Sequence, residues 1–327
     1  MPNWLGDFVM GTAIFSDLRK RYANSEIVAF CQGPFSFLIE KSPYIDRCVV
    51  FKKNETKEAL SFLKEEKFDI GILLTNSFST AWIFFKARIP LRVGFKNDFR
   101  SLLLTRSLKF PKNIESVHLV HLYKSLLQTL EITPSSSGPQ LILTSSEKEN
   151  GKKILLSFGV VFDHPILGMC PSAAFGPAKC WPQEYVVELI ELIKKSHPTL
   201  QIIIFGDESA IDIGYDLKKR YPSIINLCGK TTLKELMSLL VFCDLLITND
   251  SGPMHIADAL KVKILPIFGS TNPDKTGPFY QKEVLYEKAS CSPCYLRKCP
   301  IDFRCMKALT PQLVLKRVYE LIGDKLC

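Results

Sequence analysis

The sequence predicts an α/β protein built from two doubly wound, Rossmann-like domains that face each other across a cleft. Three observations predict this class. The chain has 327 residues, which suits two domains of ordinary size. Short apolar runs of strand length alternate with helix-spaced apolar patterns, as in βα units on a parallel sheet. A turn-rich stretch at 133–139 then separates the two halves. We expect a first domain at 1–145, a second at 146–309 and a last helix at 310–327.

Each half carries its own set of predicted elements. In the first half, strands are predicted at 27–30, 48–51, 69–74 and 91–95, and helices at 8–23, 55–66, 76–88 and 117–131. In the second half, strands are predicted at 166–170, 201–205, 224–227, 245–248 and 262–268. Helices there are predicted at 146–158, 182–196, 208–221, 232–241 and 252–260, and Thr310-Pro311 opens the last one.

The composition argues against a membrane-spanning protein and against a secreted, disulfide-bonded one. No apolar run approaches the roughly 20 residues of a membrane span, and the first residues lack the pattern of a secretory signal. Eleven cysteines, an odd number, favour reduced thiols over a disulfide framework, so we expect a cytoplasmic protein.

The net charge of +9 lies mostly in the first half, where 22 Lys/Arg face 15 Asp/Glu at 1–155. Eight cations recur through one segment: Lys86, Arg88, Arg92, Lys96, Arg100, Arg106, Lys109 and Lys112. They suit an acidic substrate or an anionic membrane surface, or form a merely solvated face. No recognition motif for nucleic acid accompanies them.

The stretch Asp244–Leu260 predicts a buried strand that turns straight into a helix. Asp250 or Ser251 can cap that helix, and Gly252 lets a ligand approach the backbone closely. The free N–H groups of the first turn suit a diphosphate, to which His255 can donate. An ordinary capped βα junction explains the stretch equally well.

Two more loops follow neighbouring strands. One runs from Pro171 to Pro182 and carries Ser172 and Lys179, and the other runs from Gly269 to Pro278 and carries Thr271. Each loop alone is typical of a turn. Three donor-rich loops in one domain instead favour a phosphorylated ligand.

These loops, together with Asn3-Trp-Leu-Gly6-Asp7, resemble the ADP-heptose–lipopolysaccharide heptosyltransferases of glycosyltransferase family 9 over nearly the whole chain. Phe175–Pro182 and Asn76–Phe78 most resemble the heptosyltransferase II branch, which adds the second heptose. The resemblance implies the GT-B fold and inverting transfer of heptose from ADP-heptose to a lipid A–Kdo–heptose acceptor. It also implies a monomer at the inner face of the inner membrane, with the C-terminal helix returning to the first domain.

The resemblance also assigns roles to residues. Asp7 matches the catalytic base, although an Asp at a helix start is more often a cap. Lys179 matches the phosphate-binding lysine, which with helix N-termini takes the place of a metal, and no Asp-x-Asp triplet is present. No cofactor is implied. The proposed donor-binding residues are Ser172, Lys179, Asp207, Glu208, Asp250, Ser251, Gly252, His255 and Thr271. Of these, Asp207 and Glu208 are chosen because they follow the strand 201–205, and a helix-capping role explains them equally well. The proposed acceptor-binding residues Asn76, Ser77 and Arg92 are chosen from the end of the strand 69–74 and the nearby cations.

Two features depart from the family pattern. Only Met1 and Pro2 precede Asn3, so the family's first strand is missing, because of either a misassigned start or a genuine loss. Four thiols also fall within fifteen residues: Cys291, Cys294, Cys299 and Cys305. They form a candidate metal site or a set of packed free thiols.

Other functions stay open at this point. A family transferase could use another donor or acceptor, and a non-catalytic protein could bind the sugar nucleotide. A nicotinamide-dependent oxidoreductase shares the doubly wound fold, but no Gly-x-Gly-x-x-Gly follows any predicted strand.

Overall fold

The computed structural model describes residues 1–52 and 55–326. The chain divides into two compact units, Met1–Ile142 and Leu143–Cys327, whereas the sequence placed the boundary between 145 and 146. Within the described residues, every helix is too short or too polar to cross a membrane.

The first unit alternates helices and strands as the apolar patterns predict. Its strands are β1 (Val28–Gln32), β2 (Arg47–Phe51), β3 (Ile70–Leu73), β4 (Leu91–Phe95) and β5 (Arg106–Leu108). Its helices are α1 (Leu5–Gly11), α2 (Phe15–Arg21), α3 (Thr56–Glu66), α4 (Phe78–Lys86) and α5 (Leu119–Ser125). A 3-10 turn at Thr12–Ile14 joins α1 to α2, and a second 3-10 segment spans Asp98–Leu103.

The strands of the first unit form two parallel sheets instead of the single sheet that we predicted. Within the described residues, β1 pairs only with β2, while β3, β4 and β5 form a separate three-stranded sheet. The Met1 ammonium donates to the carbonyl oxygen of Phe30 in β1 at 2.8 Å. Strand β5 has no apolar alternation and was not predicted from the sequence.

A buried ion pair holds the end of the first unit together. The Lys124 ammonium on α5 is 2% exposed and lies 3.0 Å from the Asp17 carboxylate on α2. It also donates to the carbonyl oxygens of Ser135 and Ser137, at 2.7 and 2.6 Å. Because a buried ammonium needs anionic or carbonyl acceptors on several sides, Lys124 ties the turn-rich stretch 133–139 to α5, and the Ser135 N–H donates to the Asp17 carboxylate at 3.2 Å.

The second unit repeats the βα pattern more regularly. Its strands are β6 (Ile166–Cys170), β7 (Gln201–Ile204), β8 (Ile225–Asn226), β9 (Leu245–Asn249), β10 (Ile264–Phe268) and β11 (Leu285–Tyr286). Its helices are α6 (Ser145–Ser157), α7 (Gln183–Ser196), α8 (Ile211–Arg220), α9 (Leu233–Leu240), α10 (Gly252–Ala259), α11 (Pro273–Thr276), α12 (Arg304–Lys307) and α13 (Pro311–Ile322).

The six strands of the second unit form one parallel sheet in the order β11-β10-β9-β6-β7-β8. Strands β6, β9 and β10 are buried throughout, as expected for the centre of a sheet covered on both faces. The chain runs outward from β6 to β8 and then returns to β9 on the other side of β6. The boundary between β6 and β9 is therefore the topological switch point, where doubly wound sheets bind their ligands.

The C-terminal helix, for which a return to the first domain was expected, has its apolar side chains buried in the second unit. Val314, Val318 and Ile322 on α13 are fully buried in the hydrophobic core of the second unit. Helix α13 packs against α7 and β9. The physical reason is its apolar spacing of three to four residues, which gives one buried face, and that face is used in this core.

Candidate nucleotide-sugar site

Three loops of the second unit emerge side by side at the carboxyl edge of its sheet. They follow β6, β9 and β10, which are adjacent strands. The register pairs Cys170 with Thr248 and Ile267 with Asn249, so the three strands end at the same level. The sequence-predicted loops therefore meet at the switch point between β6 and β9.

Asn249, the last residue of β9, ties the loop after β6 to this edge. Its side-chain oxygen accepts from the Trp181 N–H at 3.0 Å, and its side-chain nitrogen donates to the Pro171 carbonyl oxygen at 2.8 Å. The side chain thus bridges the beginning and the end of the 171–181 loop. Asn249 was not assigned a role from the sequence, although a buried amide at the end of an apolar strand was a usable signal.

Lys179, Asp250 and Thr271 meet at the centre of the three loops. The Lys179 ammonium lies 2.5 Å from Oδ2 of Asp250, and the Thr271 hydroxyl donates to the same oxygen at 2.6 Å. The Asp250 side chain is 4% exposed and that of Lys179 is 14% exposed. A carboxylate this buried requires charged and hydrogen-bonding partners, so one residue from each loop is held in a fixed arrangement.

A second cation, Arg297 from the segment after β11, contacts the same aromatic ring as Lys179. The Lys179 ammonium lies 4.8 Å from the centroid of the Phe175 ring, and the Arg297 guanidinium carbon lies 5.4 Å from the same centroid. Lys179 is 14% exposed and forms an ion pair with Asp250, whereas the Arg297 side chain is exposed. Arg297 was not assigned from the sequence, because it is far from the predicted loops along the chain.

The Arg297 segment also contacts the loop through its backbone. The Ala178 N–H donates to the Arg297 carbonyl oxygen at 3.1 Å. Gly176 has a φ of +143°, and a Cβ atom at this position would lie 2.6 Å from that carbonyl oxygen. Glycine is therefore required here both by backbone conformation and by close approach.

Helix α10 begins directly above the Asp250 carboxylate. Ser251 occupies the N-cap position, but no side-chain cap bond forms, and its hydroxyl lies 3.3 Å from that of Thr248. Asp250 does not cap the helix either, because its carboxylate oxygen binds Lys179 and Thr271. The prediction that one of them caps the helix is therefore wrong. Gly252 starts the helix, Pro253 lies in its first turn, and His255 is 7% exposed.

The next strand end along the sheet, after β7, carries the predicted sugar-binding carboxylates. Asp207 accepts from the Ser209 N–H at 3.1 Å and so caps a 3-10 turn. Glu208 is exposed. A Cβ atom on Gly206 would lie 3.5 Å from the Ser172 hydroxyl, so Ser172 lies close to this strand end. The capping role that the sequence left open for Asp207 is present, and its carboxylate stays exposed at the same edge.

The four clustered cysteines lie in the segment beside the Gly269 and Gly176 loops. The Cys294 N–H donates to the Ser270 carbonyl oxygen at 3.0 Å, and the Phe303 N–H donates to the Cys299 sulfur at 3.3 Å. Burial, together with the charges of Cys291, Cys294 and Cys299, raises the pKa of the Cys305 thiol. All four are free thiols, and no group of three or more His, Cys, Asp or Glu within the described residues is arranged to hold a metal ion.

In the first unit, Asp7 lies in the first turn of α1. The N-cap residue of this helix is Trp4, so Asp7 is the third helical residue and not the cap. Its side chain is half-buried. Burial and, next, the charge of Asp7 raise the pKa of Tyr123 on α5, which places the carboxylate near that phenol.

The three predicted acceptor residues do not all lie together. Asn76 and Ser77 follow the end of β3, and Ser77 caps α4 by accepting from the Thr80 N–H. Arg92 pairs with Gly71 near the beginning of that strand, and its Nε donates to the Leu103 carbonyl oxygen at 2.7 Å. Burial lowers the pKa of Arg92. In the sequence, Arg92 lies close to Asn76 and Ser77. The parallel pairing of β3 with β4 nevertheless places Arg92 near the beginning of β3, at the opposite end from these two residues.

Arg100 occupies the place that Arg92 was expected to take. It is 2% exposed, and it donates to the carbonyl oxygens of Thr75 at 2.7 Å and Phe95 at 2.6 Å. Its buried Nε has no hydrogen-bond partner among the described residues. With Asn76 and Asn97 it lines a cavity of about 400 Å³ at the carboxyl ends of β3 and β4. The sequence signal for Arg100 was a cation five residues after the predicted strand 91–95.

The chain resembles known proteins over nearly its whole length. The family profile described as glycosyltransferase family 9 (heptosyltransferase) matches residues 59–303. The chain is 31% identical to lipooligosaccharide heptosyltransferase 2 of Campylobacter jejuni, over 98% of this chain and 97% of that one. It is 27% identical to the enzyme of the same name from Haemophilus influenzae, over 98% of each.

A solved structure of ADP-heptose lps heptosyltransferase II from E. coli superposes with a TM-score of 0.83 at 26% identity, covering 100% of this chain and 98% of that one. A glycosyl transferase family 9 protein from Veillonella parvula gives a TM-score of 0.85 at 22% identity, covering 99% and 96%. Fold, family profile and full-length relatives therefore agree: the chain belongs to glycosyltransferase family 9, the heptosyltransferases, and is a glycosyltransferase with the GT-B fold.

Proposed function

We propose that this protein transfers heptose from ADP-L-glycero-D-manno-heptose to the heptose of a lipid A–Kdo–heptose acceptor, with inversion and without a metal ion. The contact of Lys179, Asp250 and Thr271 at the switch point carries the donor side of this proposal. The relatives named heptosyltransferase 2, which match over nearly the full chain, support the choice of sugar and of acceptor.

On the donor side, the second unit supplies the groups that a departing diphosphate needs. When the C1–O bond to ADP breaks, negative charge develops on the diphosphate oxygens. The Lys179 ammonium can neutralise that charge, and Asp250 and Thr271 hold it in place before the donor binds. The N–H groups of the first turn of α10 supply further donors next to Gly252. We propose that these groups perform the task that a divalent cation performs elsewhere.

On the acceptor side, Asp7 is the proposed general base. It takes the proton of the acceptor hydroxyl as that oxygen bonds to C1 of heptose and the C1–O bond to ADP breaks. The electron pair of the broken bond leaves with ADP, and attack from the opposite face inverts the configuration. Asp7 lies in the first turn of α1, and its side chain is half-buried, so the carboxylate keeps some access to solvent.

The cavity beside Arg100 is the proposed site for the acidic sugar of the acceptor. Asn76 and Asn97 supply exposed amide groups, and the buried Arg100 cation in the wall of the cavity favours a carboxylate such as that of Kdo. Ser77 is placed next to this cavity by its capping role. We infer that Arg92 acts outside it.

The lipid-linked acceptor places the reaction at a membrane. We propose that the protein works as a monomer in the cytoplasm, bound peripherally to the inner face of the inner membrane. The excess of cations in the first half of the chain supports contact with anionic lipids.

The experiment is turnover of ADP-heptose with a one-heptose lipid A–Kdo acceptor, in EDTA, with the anomeric configuration of the product read by NMR. We expect release of ADP and a product of inverted configuration. Asp7→Asn should lower the rate about 10³-fold, since loss of a general base typically costs 10² to 10⁴. Asp69→Asn, an exposed aspartate just before β3, is the matched control. Binding of ADP without transfer to the acceptor would contradict the proposal and favour a sugar-nucleotide-binding protein.

A further inference from the structure

We propose that the exposed face of α4, together with the cationic cavity beside it, is the surface by which this protein docks on an anionic lipid bilayer. The inference rests on the proposed peripheral location and assigns it to particular residues. We call this surface the α4 face, and define it as Phe78, Trp82, Phe85, Lys86 and Arg88 with the two neighbouring lysines, Lys64 and Lys67.

An aromatic stripe runs along the exposed side of α4. Phe78, Trp82 and Phe85 are 51%, 42% and 41% exposed, and their spacing of four and three residues places them on one helix face. The rings of Phe78 and Trp82 stack at 6.2 Å, and those of Trp82 and Phe85 at 5.9 Å. Three large aromatic rings on one exposed helix face are unusual for a surface that contacts only water.

The stripe continues onto the adjacent 3-10 segment. Phe99 and Leu102 are 79% and 80% exposed, and Phe99 lines the same cavity as Phe78. That cavity also contains Arg100 and Asn76, which we propose to bind the acceptor sugar. The apolar face therefore borders the proposed acceptor site within the first unit.

A cavity of about 1,090 Å³ adjoins the stripe and is lined by cations. Its charged lining residues are Lys64, Lys67, Lys86, Arg88 and Arg92, and none of the lining residues that the structure describes is acidic. The ion pairs in the described part of the first unit use other cations, namely Arg19, Arg47 and Lys124. Arg92 is partly buried and bonded to backbone carbonyls, which leaves four exposed cations facing solvent.

The aromatic and cationic parts share residues. Phe85 lines the cavity, and the Lys86 ammonium lies 4.7 Å from the centroid of the Trp82 ring. Aromatic rings beside lysines and arginines match the boundary of a bilayer, where the rings enter the headgroup layer and the cations meet lipid phosphates. An anionic bilayer supplies both the apolar layer that the aromatic stripe needs and the negative surface that the cations need. The charge pattern therefore favours an anionic lipid surface.

The test is sedimentation of the full chain with vesicles of phosphatidylcholine alone or mixed with phosphatidylglycerol. We expect binding only to the mixed vesicles. Lys86→Glu/Arg88→Glu should weaken binding at least 25-fold, on the order of fivefold for each lost cation and more for the reversed charge. Trp82→Ala/Phe85→Ala should weaken vesicle binding more than the charge-reversal variant does. Tyr215→Ala, at a 65% exposed aromatic of α8, and Lys195→Glu/Lys219→Glu, both on the second unit, are the matched controls.

Trp82 also reports on its own position. Of the three tryptophans, Trp181 is 3% exposed, so Trp4→Phe leaves Trp82 as the exposed fluorophore. We expect its emission to shift to the blue and to be quenched by headgroup-labelled lipid. Equal binding of the α4-face variants and the wild type, binding to phosphatidylcholine alone, or burial of Trp82 in a dimer without lipid would each overturn the proposal.

A lipid-free one-heptose saccharide separates this proposal from the proposed function. Transfer to that saccharide should survive in both α4-face variants, because neither changes the donor loops, Asp7 or Arg100. Failure of the wild type to transfer to any acceptor would contradict the transferase and leave vesicle binding as an independent result. Loss of vesicle binding by the control variants would contradict the assignment of docking to the α4 face, and would leave the proposed transferase activity unaffected.

Discussion

The carboxyl edge of the second sheet and the polar ends of the first unit differ in how completely the chain satisfies its own polar groups. On the second unit, the Asp250 carboxylate is 4% exposed and receives both Lys179 and Thr271. On the first unit, the side chains of Asn76 and Asn97, which line the cavity beside Arg100, are exposed to solvent. The carboxyl edge of the second sheet, which we call the donor edge, is thus organised before any ligand binds. The acceptor side instead leaves hydrogen-bonding groups that the ligand must satisfy.

The difference teaches which ligand each region must recognise. A nucleotide diphosphate has a fixed charge and shape, so pre-positioned cations and amides bind it at little cost in reorganisation. A branched, lipid-linked saccharide has dispersed hydroxyl and acidic groups. Its site needs exposed polar groups beside a surface that meets the lipid. The predictions below test this contrast, beginning with the largest expected effect.

Removal of Lys179 should have the largest effect on the donor edge. Lys179→Ala leaves the buried Asp250 carboxylate with one partner, and we expect ADP affinity to fall about 10²-fold or more, because truncation of a buried charge pair typically costs 2 to 5 kcal/mol. Isothermal titration with ADP measures it. Lys195→Ala, an exposed lysine of α7, should leave ADP affinity unchanged. Unchanged affinity in Lys179→Ala would show that the donor binds elsewhere.

Removal of Asp17 should affect the stability of the first unit but not the donor edge. Burial raises the pKa of Asp17, but the hydrogen bonds from Ser135 and Lys124 outweigh it and hold that pKa below the ordinary aspartate value. The stabilisation is therefore present above about pH 4 and is lost as pH falls through the lowered pKa. Asp17→Asn should cost about 3 kcal/mol at neutral pH by leaving Lys124 buried without its anion.

Denaturant unfolding at several pH values tests this second prediction. The wild type should lose stability below about pH 4 more steeply than Asp17→Asn, whose side chain does not titrate. ADP affinity should be equal in the two proteins. An equal pH dependence of unfolding would contradict the role of the Asp17–Lys124 pair.

A Cβ atom at Gly176 should disturb the loop that carries Lys179. Gly176→Ala combines a φ of +143° with a contact of 2.6 Å to the Arg297 carbonyl oxygen, and we expect a cost of about 1 to 3 kcal/mol and weaker ADP binding. Gly159→Ala is the matched control, since its φ is +86° but a Cβ atom there meets nothing within 4 Å. If both variants lose ADP affinity equally, backbone strain and not the close approach is responsible.

Removal of the Arg297 side chain should have the smallest effect on donor binding. Its guanidinium faces the Phe175 ring near Lys179, and we expect Arg297→Ala to raise the KM for ADP-heptose about fivefold with little change in kcat. The backbone bond to Ala178 is kept in this variant, so loop structure is preserved. Initial rates at varied donor concentration measure it, with Lys298→Ala, the next residue, as control. No change in KM would assign Arg297 to packing alone.

The sequence predicted the strands well because buried parallel strands are continuous apolar runs with clear boundaries. The strand 91–95 and the strand 166–170 have the predicted bounds, and the three loops meet as expected from adjacent strand ends. Strand β5, Arg106–Leu108, was missed because it is short and its side chains are mostly exposed. The division of the first unit into two sheets depends on strand pairing, which no local pattern specifies.

The individual contacts were less predictable than the elements. Lys179 and Asp250 were each singled out, but their ion pair spans 71 positions and needs the sheet order to be known. Asn249 and Arg297 were missed because their roles depend on contacts distant in sequence. Arg92 was placed with Asn76 from sequence proximity, although the parallel register pairs it with Gly71. Charge alone does not indicate at which end of a strand a side chain lies.

The most direct test of the proposed division of roles compares Asp7→Asn and Lys179→Ala in one experiment. ADP affinity is measured by titration, and the single-turnover rate is measured with saturating ADP-heptose and the one-heptose acceptor. We predict that Asp7→Asn keeps ADP affinity and loses about 10³-fold in rate, while Lys179→Ala loses ADP affinity. Loss of ADP affinity in Asp7→Asn, or an unchanged rate, would contradict the assignment of base and donor site to different units.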